Sequence, residues 1–362
     1  MSENLSRTVF RNEVLAMSAY KVADAKNLIK LDAMENPYNW PEHVIDQWLQ
    51  TIKSCPINRY PDPQAKKLAA TLKKVNQIPQ DSDMLLGNGS DEIIQILLMA
   101  LTPGATVMAP EPGFVMYKQI AQSLGLNYQG VPLHTDDFAL DLSAMLKMIE
   151  QHQPAVIFLA YPNNPTGNLF AAEDIRQILD SAPGLVVIDE AYAPFTDASF
   201  IDKLAQYPNL LVMRTLSKLG LAGLRLGFLA GAPELIEQLH KIRLPYNINS
   251  LTQMTAEFAL NNIEFLQQQT NTICQQRSQV FEQLNALQGI KALPSSANFI
   301  LFKTENKPAD AIFHSLQQQG ILIKNLSPQG GALSNCLRVT IGKEEENRAF
   351  IEALTSTLNA AD

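Results

Sequence analysis

The sequence predicts an α/β protein of two domains: a large one built on a mostly parallel sheet flanked by helices, then a smaller α+β one. Three observations predict it. Short, wholly apolar runs such as Ala155-Val-Ile-Phe-Leu-Ala160 and Leu185-Val-Val-Ile188 alternate with helical segments, as strands do in a sheet covered on both faces. At 362 residues the chain is longer than one hydrophobic core usually serves. Beyond Pro245 the alternation stops, a long helical stretch follows, and three more apolar runs come after it.

In order, residues 1–28 carry Asn4, Arg7, Arg11, Tyr20 and Lys21 among apolar positions without period, and read as an arm with a short helix. Leu28 to Glu35 alternates as a strand and ends at Asn36-Pro37-Tyr38, because a proline keeps its predecessor extended. A helix near Glu42 to Ile52, the two-proline loop Asn58-Arg-Tyr-Pro-Asp-Pro63 and a helix over Ala65 to Val75 come next. Met84-Leu-Leu-Gly-Asn-Gly-Ser-Asp-Glu92 reads as a strand, a glycine turn and the start of an apolar helix, Ile93 to Leu101. Strands are then expected at 106–109, 127–131, 155–160, 185–188, 210–214 and 226–230, with helices near 114–124, 142–152 and 171–181. After Pro245 one long helix is expected, with Met254, Phe258, Phe265, Ile273, Val280 and Leu284 on it. Strands at 298–302, 321–323 and 337–341 and helices near 309–319 and 344–358 complete the smaller unit. The division is therefore an arm, 1–28, a large domain, 29–249, and an interdomain helix with a small domain, 250–362.

Composition narrows the function. With 46% hydrophobic and 18% charged residues the chain is globular, and 28 basic against 36 acidic groups give a net charge of −8. That balance argues against a general binder of nucleic acid or anionic membranes, which reward clustered cations. Cys55, Cys274 and Cys336 are odd in number and lack CxxC spacing, so free thiols in a reducing compartment fit better than disulfides or zinc. None of the five histidines has metal-ligand spacing, and no metal is expected. No signal-like N-terminus and no bilayer-length apolar run occur, so a cytoplasmic location is expected.

The chemistry centres on Leu211-Val-Met-Arg-Thr-Leu-Ser-Lys-Leu-Gly-Leu-Ala-Gly-Leu-Arg-Leu-Gly227, where an apolar run delivers Lys218 among small residues, with Thr215, Ser217 and Arg225 close by. Asp189 ends the apolar run Val186-Val-Ile and Tyr192 follows three residues later; strand ends are where parallel sheets bind ligands. Asn164 sits in Tyr161-Pro-Asn-Asn-Pro-Thr-Gly167, an irregular path directly after a strand. The turn Gly87-Asn-Gly-Ser-Asp-Glu92 offers Gly89, Ser90 and Asp91 at a helix N-terminus, which suits a phosphate. Tyr117 supplies a flat face, and Arg338 is the arginine inside an apolar strand of the small domain. These are the parts that pyridoxal 5'-phosphate needs. Lys218 would anchor its aldehyde and move protons, Asp189 would keep its ring nitrogen protonated, and Tyr192 and Asn164 would donate to its ring oxygen. The glycine turn, Thr215, Ser217 and Arg225 would hold its phosphate, Tyr117 would stack on the ring, and Arg338 would meet a substrate anion.

Taken in order, Leu31-Asp-Ala-Met-Glu-Asn-Pro-Tyr38, Arg59-Tyr-Pro-Asp-Pro63, Gly87–Glu92, Tyr161–Gly167, Ile188-Asp-Glu-Ala-Tyr192, Arg214–Arg225 and Leu337-Arg-Val-Thr-Ile-Gly342 resemble the fold type I aminotransferases, specifically the histidinol-phosphate aminotransferase family. The resemblance runs nearly end to end. It implies a homodimer with Tyr60 of one subunit reaching the cofactor phosphate of the other, and amino transfer between L-histidinol phosphate and 2-oxoglutarate, yielding glutamate, in histidine biosynthesis. It also implies that Tyr20, Asn164 and Arg338 meet the substrate, with a cation at 324 on its phosphate. Position 324 is Lys here, which keeps the charge but not the two-pronged grip of arginine. The alternatives are an aromatic or aspartate aminotransferase or an amino-acid-phosphate decarboxylase on the same scaffold, and a regulatory protein that keeps the fold without the chemistry.

Overall fold

The structure, a computed structural model, describes residues 2–19 and 23–360. The first strand, β1 (Ile29–Lys30), pairs in parallel with a C-terminal strand described below. The large sheet takes β2 (Asp83–Gly87), β3 (Thr106–Glu111), β4 (Asn127–Pro132), β5 (Val156–Ala160), β6 (Leu185–Asp189), β7 (Leu210–Thr215) and β8 (Gly227–Gly231). Its order is β2-β8-β7-β6-β5-β3-β4, and β8 alone runs against the other six. β5 to β7 carry apolar residues on both sides because helices cover both faces, so the side chains form two apolar clusters, one per face.

The remaining strands are β9 (Ile290–Ala292), β10 (Phe299–Thr304), β11 (Ile321–Leu322), β12 (Lys324–Asn325) and β13 (Cys336–Thr340). They form an antiparallel sheet β12-β13-β10-β9, with β11 turned away to pair with β1. A third apolar cluster lies here, joining Phe299, Phe302, Leu337 and Val339 to Phe350 and Leu354 of the last helix, Glu344–Asn359. Leu31 of the N-terminal part belongs to it too.

Three expectations are corrected. The strand expected over 28–35 is two residues long, since Met34 adopts φ 53° and its N–H goes to the side-chain hydroxyl of Thr340, not to a backbone carbonyl of a neighbouring strand. The single long helix after Pro245 is two, Ser250–Asn261 and Glu264–Asn285. At the break Asn262 turns its amide onto the carbonyl of Phe258, the local competition for backbone acceptors that makes asparagine a helix ender. A further helix, Pro233–Ile242, was not expected; it starts on a proline and buries Ile236 and Leu239. Among the described residues no helix is long and apolar enough to cross a membrane.

The direction of β8 decides what meets what. The C-terminal ends of β2, β5, β6 and β7 share one edge of the sheet, and the start of the reversed β8 reaches the same edge, with Gly87, Gly227 and Thr215 level in register. Residues just after the first four strands and just before β8 are therefore neighbours.

Candidate active site

The loops after β2, β5, β6 and β7 meet at that edge, the last running on into β8. The first follows β2: Gly89 stands at φ 87° and opens the helix Ser90–Met99, whose first N–H groups face outward. A Cβ built on Gly89 would lie 2.5 Å from Nη2 of Arg225, so the guanidinium packs on bare backbone. Arg225, itself at φ 50°, sends Nη1 to the Ser217 hydroxyl at 3.4 Å and has Nη2 3.6 Å from the Asp91 carboxylate. Thr215 accepts the Ser217 N–H at 3.1 Å and donates to the Leu226 carbonyl at 3.2 Å, which fixes the loop between lysine and arginine. Helix amides, an arginine fork and two hydroxyls around a glycine backbone at φ 87° form a cradle that fits a phosphate.

Asp189 ends β6 and is buried. Burial pushes its carboxyl up to about 6, against the hydrogen bonds from the Tyr117 hydroxyl and the Ala191 N–H, which are 2.5 and 3.1 Å long. At neutral pH it is therefore still mostly an anion, poised to hold a cationic ring nitrogen. Tyr117 is fully enclosed and stacks on Phe158, centroids 4.5 Å apart and planes 10° apart, with its hydroxyl on Asp189. Its ring is thus stacked on a core phenylalanine in this structure, where the sequence suggested a face for the cofactor.

Tyr192, on the other side of Asp189, joins a chain that crosses between the two sheets. Arg338 of β13 donates to Asn164 Oδ1 at 2.6 Å, and Asn164 Nδ2 donates to the Tyr192 hydroxyl at 3.0 Å. Arg338 also donates to the carbonyl of Asp32 at 3.1 Å and lies over the ring of Phe299. Burial holds the Tyr192 phenol above its ordinary range; Arg338 and the bond from Asn164 pull it down, and Asp189 pushes it up. It stays a protonated donor at any working pH.

Lys218 follows β7 and points its amine at the carbonyl of Ala33, 3.1 Å away. Burial first, then the nearby cations Arg338 and Arg225, push the amine down to about 8, while Glu35 and Asp91 oppose the fall. Part of the population is then neutral near pH 7, as a nucleophile or base requires. A cavity of about 930 Å³ lies next to this segment, lined by Ser217, Gly223, Thr340 and residues of the 27–40 stretch but not by Lys218, Asp189, Arg225 or Arg338.

The remaining expected residues stand apart. Lys324 of β12 is level with Arg338 across the ladder, so two cations share one face of the small sheet. Tyr60 is 81% exposed and stacks on Tyr246 at 4.6 Å. Tyr20 lies outside the described residues. Two participants escaped the sequence reading. The Ala33 carbonyl is a backbone group and leaves no residue signal. Glu190, wholly buried beside Asp189, grips Arg214 with Nη2 at 2.7 Å and Nε at 2.9 Å and takes the Phe200 N–H at 2.6 Å. Its signal was present, as one charge directly after an apolar strand and an opposite one inside the next, 24 residues apart.

The family model described as aminotransferase class I and II matches residues 26–354. Histidinol-phosphate aminotransferase 2 of Nitrosococcus oceani is 56% identical, covering 95% of this chain and 96% of that one. Histidinol-phosphate aminotransferase 1 of Ralstonia nicotianae is 48% identical, over 98% and 96%. Among solved structures, the histidinol-phosphate aminotransferase of Sinorhizobium meliloti in complex with pyridoxal-5'-phosphate superposes with a TM-score of 0.86 at 23% identity, covering 97% of this chain and 98% of that one.

Proposed function

The chain belongs to the class I and II aminotransferases and, within them, to the histidinol-phosphate aminotransferases, and on that premise we propose that it moves an amino group between L-histidinol phosphate and 2-oxoglutarate, making imidazole acetol phosphate and glutamate in histidine biosynthesis. The observation that carries the reading is the convergence, on one sheet edge, of the Gly89–Arg225 cradle, buried Asp189 and the low-pKa amine of Lys218. When bound, pyridoxal 5'-phosphate supplies an aldehyde that accepts the amino group and a ring that absorbs the electrons left at the substrate's Cα.

Each side chain then has a task. Lys218 would anchor the cofactor's aldehyde, and its amine, when free, would take the proton from the substrate's Cα. Asp189 holds the ring nitrogen charged, and Tyr192 and Asn164 donate to the ring oxygen. Gly89, Ser90 and Asp91 at the helix start, with Thr215, Ser217 and Arg225, hold the phosphate. Tyr117, whose hydroxyl bonds Asp189, would lie against the ring. Arg338 takes the carboxylate of the oxo acid, and Lys324 beside it adds charge for the donor's phosphate. We assign Tyr60, exposed on its own protomer, to the phosphate of a partner subunit, which makes the working unit a homodimer in the cytoplasm, and Tyr20 to the substrate. The arm, 1–28, the large domain, 29–249, and the small domain, 250–362, are its parts.

Two measurements test this. In a panel of amino donors with 2-oxoglutarate, kcat/KM for L-histidinol phosphate is expected to exceed that for histidinol, aspartate or aromatic amino acids by at least about tenfold, the worth of one well-made charged contact. Equal use of the unphosphorylated donor, or release of carbon dioxide in place of glutamate, ends the proposal. Gly89→Ala drives a methyl into the Arg225 guanidinium at a φ that side chains resist. Its dissociation constant for pyridoxal 5'-phosphate, read by titrating the apoprotein spectroscopically, is expected to rise about tenfold or more, and an unchanged value removes the cradle from the phosphate.

A further inference from the structure

Between β1 and Pro37 the chain runs through the heart of the site, and three successive carbonyls are each claimed by a different side chain. Asp32 O accepts from Arg338 Nη2 at 3.1 Å, Ala33 O from Lys218 Nζ at 3.1 Å and Met34 O from Asn298 Nδ2 at 2.9 Å. Met34 holds a left-handed φ of 53°, which a residue with a Cβ resists and which persists only when its surroundings enforce it. Two bonds do the enforcing. The Met34 N–H goes to Thr340 Oγ1 at 2.9 Å, and the Met34 carbonyl goes to Asn298.

Both partners are buried and bonded through their backbones. Asn298 is wholly buried, its carbonyl takes the N–H of Ile341 at 2.9 Å, and its amide oxygen meets no donor among the described residues. What it supplies to this segment is therefore the N–H alone. Thr340 is 3% exposed within β13, and its own N–H bonds the Leu31 carbonyl at 2.9 Å. The same strand carries Arg338 two residues earlier, on the same face. One strand thus fixes both the arginine and the segment that receives the lysine.

We propose that Asn298 and Thr340 are positioning residues for Lys218: by pinning Met34 in its left-handed turn they hold the Ala33 carbonyl where the amine of Lys218 rests when it is not attached to the cofactor. The proposal rests on the transamination reading for its consequence, since a parked amine is one that starts each proton transfer from a fixed place. Its geometry stands without that reading. Neither residue needs to touch substrate or cofactor.

The test compares Thr340→Val, which keeps the shape and loses the acceptor, with Thr340→Ser, which keeps the acceptor. In the full-length apoprotein, Lys218 is labelled by trace acetic anhydride across a pH series and the extent is read by mass spectrometry. The amine faces Arg338 and Arg225 as cations and Glu35 and Asp91 as anions, none of which the substitution alters. A carbonyl acceptor favours the charged amine, so in Thr340→Val the labelling midpoint is expected to fall below about 8 by about half a unit. In the reconstituted enzyme, kcat is expected to fall about tenfold while KM for 2-oxoglutarate moves less than about twofold, because a misplaced base slows chemistry more than binding. Thr340→Ser returns both values toward wild type. An unmoved midpoint with unmoved kcat, or a serine variant as impaired as the valine one, overturns the proposal. Asn298→Ala carries the same expectations and decides the matter should Thr340→Val not fold. Labelling needs no cofactor, so failure of the wild-type protein to bind pyridoxal 5'-phosphate would sink the functional reading while leaving the clamp to be judged.

Discussion

In a Lys218→Ala protein, borohydride is expected to fix no pyridoxal 5'-phosphate to the chain, whereas in the wild type it marks the peptide that contains Lys218. Transamination of L-histidinol phosphate is expected to fall by at least about four orders of magnitude, since the change removes the covalent anchor and the proton-transfer base together, and general-base catalysis alone is worth about 10²–10⁴. The geometry argues for so large an effect. Lys218 is the amine that burial and two arginines bring down to about 8, and the small residues Ala222 and Gly223 that follow it leave no second lysine in the loop. The cradle of Gly89, Ser217 and Arg225 is untouched, so the variant still binds the cofactor noncovalently. Labelling at another lysine, or activity within about a hundredfold of wild type, ends the assignment.

The second large effect falls on Asp189. The substitution Asp189→Asn keeps the shape of the side chain and an acceptor for the Ala191 N–H, so the fold survives and the melting temperature is expected to hold or rise, because a buried carboxylate is costly. Turnover, by contrast, is expected to drop by at least about 10²–10³, the usual loss when one preorganised electrostatic partner is removed. Cofactor binding persists through the phosphate. A variant turning over within about threefold of wild type would show that ring charge does not depend on this residue.

How much of this could be read beforehand depends on whether the signal was local. Asp189 and Lys218 were legible because one ends and the other closely follows a largely apolar run that reads as a buried strand, and a charge in such a place needs a reason. The glycine turn before Ser90 was legible for the same kind of reason, being short-range turn chemistry at a strand end. Contacts across long stretches of chain were not. Arg338 and Asn164 stand 174 residues apart, and nothing in either neighbourhood names the other. Asn298 reads in sequence only as the first residue of the strand expected over 298–302, and its use emerges only when β10 and the Met34 segment are seen together. Tyr117 sits beside Asp189, but whether it packs on Phe158 or faces a ligand is a choice of rotamer, about which sequence is silent. The helix break at Asn262 and the helix starting at Pro233 are written in cap chemistry, which a count of apolar periods does not register.

The chain of bonds from Arg338 through Asn164 to Tyr192 has a polarity. The guanidinium can only give, so Asn164 must present its oxygen to Arg338 and its NH₂ to Tyr192. Turning that amide over would set two donors nose to nose. The Tyr192 oxygen is thereby obliged to receive, and its single proton is left to be spent in another direction, toward the interior of the site. An arginine on the small sheet thus dictates, two links away, which way a phenol on the large sheet points its hydrogen. Replacing Arg338 by an uncharged residue would remove more than an anion contact, because the one-way order of the line would then have nothing to start it.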